Sequence, residues 1–403
     1  MTEFDVMRSL TLQGTTKILL LVLDGLGGLP MQTDGRTELE AANTPNLDRM
    51  ASEGTLGTII PIMRGVTPGS GLAHLALFGY DPIEHAMGRG VLEASGIGLH
   101  VGEEDVAARG NFCTVDSRGR ITDRRAGRIA SDTGESLVDM LQTVTVPGVE
   151  IDVRHVREYR FVVVMRGGGL LADLEDTDPQ VLDIPPLAVT ARTPAAQRTA
   201  DLFNQWIATA GTVIADENPA NMFTLRGFSS DPRLPKYSDV YKLRAACVAD
   251  YPMYRGVARL VGMDIIAPSR GVQQDWFASL AASWNDHDFF FVHVKATDSF
   301  GEDGDFAGKV RVIEGVDEVI PDLLELGPDV VMVTGDHSTP AKLGSHSWHP
   351  VPILLWAPGR HLPDYCESFG ERECARGGLG IFKAKYLMPL AMAHAGRMAK
   401  FGA

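Results

Sequence analysis

Short apolar runs alternate along the chain with longer segments whose apolar residues recur every three or four positions. The clearest runs are 17–23 (KILLLVL), 160–166 (RFVVVMR), 289–294 (FFFVHV), 329–334 (DVVMVT) and 352–356 (PILLW). All but the second are short and continuously apolar, which predicts strands buried on both faces of a parallel sheet. Helices are predicted over 45–53, 194–210, 306–324 and 382–398. In the third, Val310, Val312, Ile313, Val316, Val319 and Ile320 recur at approximately helical spacing. Its charged residues Lys309, Arg311, Glu314, Asp317 and Glu318 fall largely on another face. Strand–helix–strand order predicts an α/β protein with a doubly wound, mostly parallel sheet. Residues 101–235 break the pattern with polar turns, a Pro-rich stretch at 179–194 and several arginines. The expected organisation is a core of 1–100 and 236–403, with a smaller α/β domain, 101–235, inserted into it.

Composition narrows the class. Of 403 residues, 44% are hydrophobic and 22% charged, a globular balance that excludes disorder, collagen and coiled coil. Lys and Arg number 37 against 52 Asp and Glu, a net charge of −15, so no nucleic acid or anionic membrane is expected as a partner. The run Ile18–Leu23 is far shorter than the roughly 20 apolar residues a membrane span needs. It ends at Asp24 and a Gly-rich turn, so it reads as a strand. Cys113, Cys247, Cys366 and Cys374 are scattered, without a C-x-x-C pair, and read as reduced thiols of a cytoplasmic protein. A homo-oligomer is left open.

Open parallel sheets bind ligands beyond the carboxyl ends of their strands. After 17–23 comes Asp24-Gly-Leu-Gly-Gly28, and after 289–294 come Lys295, Asp298, Glu302 and Asp303. Asp336 and His337 follow 329–334, and His346 and His349 precede 352–356. Taken singly, each motif fits a turn, a helix cap or a solvated face. Together they bring carboxylates and imidazoles to one sheet edge, a set suited to divalent metal with room for two ions. Ser70 follows the turn Pro68-Gly69 and opens an apolar-periodic segment, so it stands at a helix N-terminus. Two roles suit it there, an N-cap or a nucleophile activated by metal.

These residues lie in stretches that closely resemble the archaeal-type, cofactor-independent phosphoglycerate mutases of the alkaline phosphatase superfamily. The stretches are VLDGLGGLP (22–30), TELEAANTPNLDRMASEG (37–54), PGSGLAHLALFGYDP (68–82), GRGVLEASGIGL (88–99), RGNF (109–112) and DRRAGR (123–128). HVKATDSFGEDGDFAGKV (293–310), TGDHSTPAKLGSHSWHPVPILLW (334–356) and CARGGLG (374–380) complete the set. The resemblance implies one metal site of Asp24, Ser70, Asp336 and His337, and a second of Asp298, Glu302 and His346. Other branches of the family have histidine where Glu302 stands, and a harder anionic ligand there favours Mn²⁺ or Mg²⁺ over Zn²⁺, with Co²⁺ or Zn²⁺ as the other candidate ions. Asp303 is a second carboxylate within reach of that role. Gly71 departs from the acidic residue often found after the nucleophile.

The implied activity is interconversion of 3-phosphoglycerate and 2-phosphoglycerate, a step of glycolysis and gluconeogenesis, through a phosphoserine at Ser70. The substrate carries a phosphate and a carboxylate, and guanidinium groups bind both well. Arg109, Arg124, Arg125, Arg128 and Arg226 are the candidates in the inserted domain, with Lys236 and Lys295 on the core. Asp123 and His155 are candidates to carry a proton, and His74, His85, His293 and His349 are expected in supporting roles. A hydrolase or a homoserine-kinase-like phosphotransferase of the same superfamily would share the metal and serine residues. A non-catalytic binding protein would not need the nucleophile together with the full ligand set.

Overall fold

The computed structural model describes residues 2–31, 33–85, 87–266 and 273–402. The chain divides into two compact units, Met1–Ala86 with Leu234–Ala403, and Met87–Arg233. Its strands are β1 (Ile18–Leu23), β2 (Thr55–Ile60), β3 (Val106–Val115), β4 (Ile121–Asp123), β5 (Glu150–Arg157), β6 (Arg160–Arg166) and β7 (Met222–Ser229). They continue with β8 (Ala245–Val248), β9 (Asp264–Ile266), β10 (Phe289–Val294), β11 (Val330–Thr334), β12 (Val351–Trp356) and β13 (Gly380–Lys383).

The first unit is built on a mixed, mostly parallel sheet in the order β13-β2-β12-β11-β1-β10-β8-β9. Strands β11, β1, β10, β8 and β9 run parallel to one another. Every residue of β1 is buried, as its unbroken apolar run requires. Helix Phe306–Glu325 lays Ile313, Val316, Ile320 and Leu323 into the core that also holds Leu19, Leu21, Phe290 and Val331. Burial of each such side chain stabilises by about 1.5–3 kcal/mol.

Two charged residues of that helix depart from the expected solvated face. Lys309 and Asp317 are both buried. The Asp317 carboxylate accepts the N–H of Leu47 at 2.7 Å and of Asn46 at 3.2 Å. These are unpaired donors in the first turn of helix Pro45–Glu53, whose own Thr44 makes no capping bond. The helix expected over 382–398 is also shorter, spanning Leu387–His394. Its first residues instead belong to β13, which pairs with β2, and to a 3₁₀ turn, Ala384–Tyr386.

A further correction concerns β12, expected as a parallel strand. It pairs antiparallel with both β11 and β2. A parallel return needs a crossover, usually helical. Residues 335–350 make none and fold back on themselves, with Ser347 N–H donating to Ser338 C=O at 2.8 Å. The loop therefore starts and ends at the same edge of the sheet, the edge where β1 and β10 also end.

In the second unit β3 is flanked by β6 and β7, in an antiparallel sheet completed by β4 and β5. Phe112, Phe161, Phe203, Trp206 and Phe223 fill its core. The unit begins at Met87, not at the expected residue 101, because helix Arg89–Gly96 belongs to it. The Val91 N–H of that helix donates to Ser229 Oγ of β7 at 2.9 Å. The unit ends at Arg233 where 235 was expected. Among the described residues no helix is long and apolar enough to cross a membrane.

Candidate active site

Asp24 follows β1 directly, and its N–H continues the ladder to Val294 C=O of β10 at 2.9 Å. Gly25 turns the chain with φ +64°, and a Cβ there would fall 2.5 Å from Thr339 Oγ1. Gly335 after β11 is equally constrained, since a Cβ would lie 2.8 Å from Leu26 Cβ. Lys309 braces both turns from below. Its ammonium donates to the carbonyls of Gly25 (2.8 Å), Gly27 (3.1 Å) and Thr339 (2.9 Å).

Asp24, Asp336 and His337 are fully buried and converge. His337 Nε2 lies 3.3 Å from Asp24 Oδ1 and 3.2 Å from Asp336 Oδ2. Both oxygens lack a hydrogen-bond donor, a costly state for buried carboxylates unless a cation completes them. Their other oxygens are occupied. Asp336 Oδ1 accepts the Gly25 N–H at 3.1 Å, and Asp24 Oδ2 accepts the hydroxyl of Tyr254. Burial pushes the Asp24 carboxyl up, but Lys295, His293 and His337 outweigh it and hold it well below the ordinary range. It is therefore a carboxylate at neutral pH.

Ser70 opens helix Ser70–Leu77, and the N-cap is Gly69. The N-cap reading of Ser70 is thus excluded. Its Oγ lies 3.1 Å from His337 Nε2 instead, beside the two orphaned carboxylate oxygens. His74, one turn on, donates Nδ1–H to Ser70 C=O at 2.8 Å and lies 3.3 Å from Asp336 Oδ2.

The second donor set sits alongside. Asp298 and Glu302 are one turn apart on helix Ala296–Glu302. His346 Nε2 is 3.5 Å from Asp298 Oδ1 and 3.7 Å from Glu302 Oε1. Its Nδ1 faces Pro68 C=O at 3.0 Å; a carbonyl only accepts, so the ring proton is on Nδ1 and Nε2 is free to ligate. Asp303 only ends the helix, by N–H bonds to Gly301 and Ser299. The antiparallel Ser338–Ser347 bridge holds the two segments side by side, and the rings of His337 and His346 stack at 3.7 Å. The ligand atoms of Asp24, Asp336 and His337, and those of Asp298, His337 and His346, lie within 4.8 Å of one another, and carboxylate oxygens with imidazole nitrogens are the chemistry a divalent cation needs.

Lys295, a candidate for the substrate, lies against the site's own carboxylates: it contacts Asp24 Oδ2 at 3.1 Å and pairs with Asp298. Lys236 is elsewhere in the first unit, donating to Leu260 C=O at 2.7 Å. His293 stacks on Tyr254 at 3.7 Å, 3.5 Å from Asp24 Oδ2. His85 packs on Phe4 and Tyr80, and His349 on Trp348, away from the donor atoms. Tyr254, Thr339 and Lys309 were not singled out by sequence as site residues. Nothing in the segment PMYRGVAR marks Tyr254, because its role depends on a contact 230 residues away.

In the second unit, Arg109 is buried 3.7 Å from Glu93. Burial, with repulsion from Arg89, lowers its guanidinium to about 10, so it stays charged at neutral pH. Arg124 is bidentate to Asp178 at 3.1 and 2.7 Å. Arg226 lies 3.5 Å from both Asp176 and Asp178. Arg125 and Arg128 are exposed, and no ion pair to either occurs among the described residues. The two proton-carrier candidates have local duties. Asp123 accepts the N–H groups of Arg125 and Gly127, both at 2.7 Å, and His155 Nε2 meets Glu158 C=O at 2.9 Å.

Comparison with known proteins agrees with this geometry. Residues 51–221 match the family described as 2,3-bisphosphoglycerate-independent phosphoglycerate mutase. A probable mutase of that name from Thermotoga maritima is 48% identical over 401 residues, covering 99% of each chain. One from Thermus thermophilus is 48% identical over 405 residues, again covering 99% of each. Among solved structures, a Pyrococcus horikoshii protein superposes with a TM-score of 0.83 at 31% identity, covering 96% of this chain and 100% of that one. The cofactor-independent phosphoglycerate mutase of Thermoplasma acidophilum gives 0.72 at 31% identity, covering 94% and 100%. With identity near one half along its whole length, the chain belongs to the 2,3-bisphosphoglycerate-independent phosphoglycerate mutase family.

Proposed function

We propose that the chain interconverts 3-phosphoglycerate and 2-phosphoglycerate through a phosphoserine at Ser70. The observation that carries this reading is the Ser70 hydroxyl, 3.1 Å from His337 Nε2 and beside two orphaned carboxylate oxygens. Asp24, Asp336, His337 and Ser70 would hold one divalent cation, and Asp298, Glu302 and His346 the other. Bound there, Mn²⁺ or Mg²⁺ would lower the pKa of the serine hydroxyl and offset charge on the phosphoryl group.

Ser70 Oγ attacks phosphorus; the Oγ–P bond forms as the bond from phosphorus to the glycerate C3 oxygen breaks. That oxygen takes up a proton, and the Ser70 proton is released. In the second half the glycerate C2 oxygen attacks phosphorus and loses its proton; the bond from that oxygen to phosphorus forms as the Oγ–P bond breaks, and Ser70 regains a proton. The Ser70 N-terminal turn and Lys295 supply positive potential around the phosphoryl oxygens. Arg125 and Arg128, exposed and without carboxylate partners among the described residues, suit the glycerate carboxylate. Arg109, Arg124 and Arg226 shape their surroundings through the buried acids they already meet. On this reading the second unit is the substrate domain and the first carries the cations.

The test is an enolase-coupled assay with 3-phosphoglycerate as substrate and no 2,3-bisphosphoglycerate. Turnover to 2-phosphoglycerate that is lost on chelation and restored by Mn²⁺ is expected. Release of free phosphate in its place would make the chain a phosphohydrolase and overturn the proposal.

A further inference from the structure

Thr339 is completely buried, and its hydroxyl has two partners. Oγ1 lies 2.6 Å from Asp298 Oδ1 and 2.9 Å from His337 Nδ1. A carboxylate only accepts, so the single hydroxyl hydrogen goes to Asp298. Oγ1 must then accept from His337, and the ring proton of His337 is fixed on Nδ1. That leaves the Nε2 lone pair facing Asp24, Asp336 and Ser70. It also means that Nδ1, 4.0 Å from Asp298 Oδ1, carries a proton and offers that carboxylate no lone pair.

The side chain has little freedom to do otherwise. Thr339 N–H is shared by the carbonyls of Gly25 and Gly27, each at 3.1 Å. Its own carbonyl takes Lys309 Nζ at 2.9 Å. Gly301, on the helix that carries Asp298 and Glu302, approaches so closely that a Cβ would lie 2.3 Å from that carbonyl. Both donor sets therefore lean on one residue that contributes no ligand atom to either.

We propose that Thr339 is a positioning residue that couples the two cation sites, one hydroxyl setting both the tautomer of His337 and the rotation of the Asp298 carboxylate. The proposal rests on the reading of the two donor sets as cation sites. Outer partners of this kind are worth roughly ten- to a hundredfold in metal affinity.

The test compares the full-length protein with Thr339→Val, which keeps the shape, and Thr339→Ser, which keeps the hydroxyl. Each metal-free protein is titrated with Mn²⁺ by calorimetry. The expected result is that Val weakens both sites by about tenfold or more while Ser restores them. Wild-type affinity at either site in the Val variant, or equal loss in the Ser variant, overturns the coupling. A second readout needs no metal: the ¹⁵N shifts of the His337 ring in the metal-free protein. They should report the Nδ1–H tautomer in wild type and Ser. The other tautomer in wild type overturns the proposal even if the Val variant does not fold. Absence of Mn²⁺ binding to wild type itself would reject the cation sites, whereas the tautomer measurement would still judge the hold of Thr339 on His337.

Discussion

The hydroxyl of Ser70 and the Nε2 atom of His337 are 3.1 Å apart, although 267 residues separate them in sequence. With the His337 proton on Nδ1, the serine is the hydrogen donor. Ser70→Ala should lower turnover on the order of 10⁴-fold or more, as loss of a nucleophile does elsewhere. Thermal stability should change little, because the side chain caps nothing. The enolase-coupled rate and transfer of labelled phosphate from 3-phosphoglycerate to the protein check this; wild-type labelling in the variant would place the nucleophile elsewhere.

Glu302 Oε1 lies 3.7 Å from His346 Nε2, while Asp303 is engaged only in ending its helix. Glu302→His exchanges a hard oxygen for a softer nitrogen. The variant should shift its preference from Mn²⁺ toward Co²⁺ or Zn²⁺. Competition between paired ions, read as activity and as bound metal, measures it. An unshifted preference would remove Glu302 from the second set.

Lys309 is a buried cation with three carbonyl partners and no contacting carboxylate among the described residues. Lys309→Met keeps much of the packing but takes a donor from each carbonyl, leaving those of Gly25 and Gly27 to share the Thr339 N–H. The expected cost is about 3 kcal/mol, comparable to one to three orphaned buried groups. The turns carrying Asp24 and His337 should loosen together, so Mn²⁺ affinity should fall as well. Urea unfolding midpoints and Mn²⁺ titration give the two numbers; an unchanged midpoint would show that the carbonyls find other partners.

Glu371 supplies a pH dependence. Burial, opposed by the Thr37 hydroxyl and the Gly28 N–H, raises its carboxyl from 4.5 to about 7. The folded state thus holds this proton more tightly than the unfolded one. The group costs no stability below about pH 4.5, and the cost grows to about 3 kcal/mol as pH rises through 7. Glu371→Gln should therefore match wild type near pH 4.5 and exceed it in stability above pH 7. The difference between their unfolding free energies across that range isolates this carboxyl from all others; a difference that does not grow with pH would refute the raised value.

Much of this architecture is legible in the sequence because buried parallel strands announce themselves. Ile18–Leu23 and Phe289–Val294 are unbroken apolar runs, and Asp24 and Asp298 follow them. The direction of β12 is not legible, because an apolar run reads the same in a parallel or antiparallel strand. Lys309 and Asp317 show a second limit. Helical periodicity assigns charged residues to the solvent face, yet both are buried because each meets unpaired backbone groups of a distant segment. Tyr254 and Thr339 are ordinary in sequence and matter only through contacts made after folding.

The antiparallel entry of β12 turns a question of chemistry into one of carpentry. His337 and His346 belong to one closed loop whose ends are fastened to adjacent strands, Thr334 opposite Ile353. The sheet is thus a ruler for the site. A slip of one residue between β11 and β12 would turn every side chain of β12 to the opposite face. It would also pull His346 along the strand by about 3.3 Å, out of reach of Asp298. Asp24, Ser70 and Asp298 have no fixed distance to His346 until Val351–Trp356 has paired with β11, so one antiparallel strand gauges the whole site.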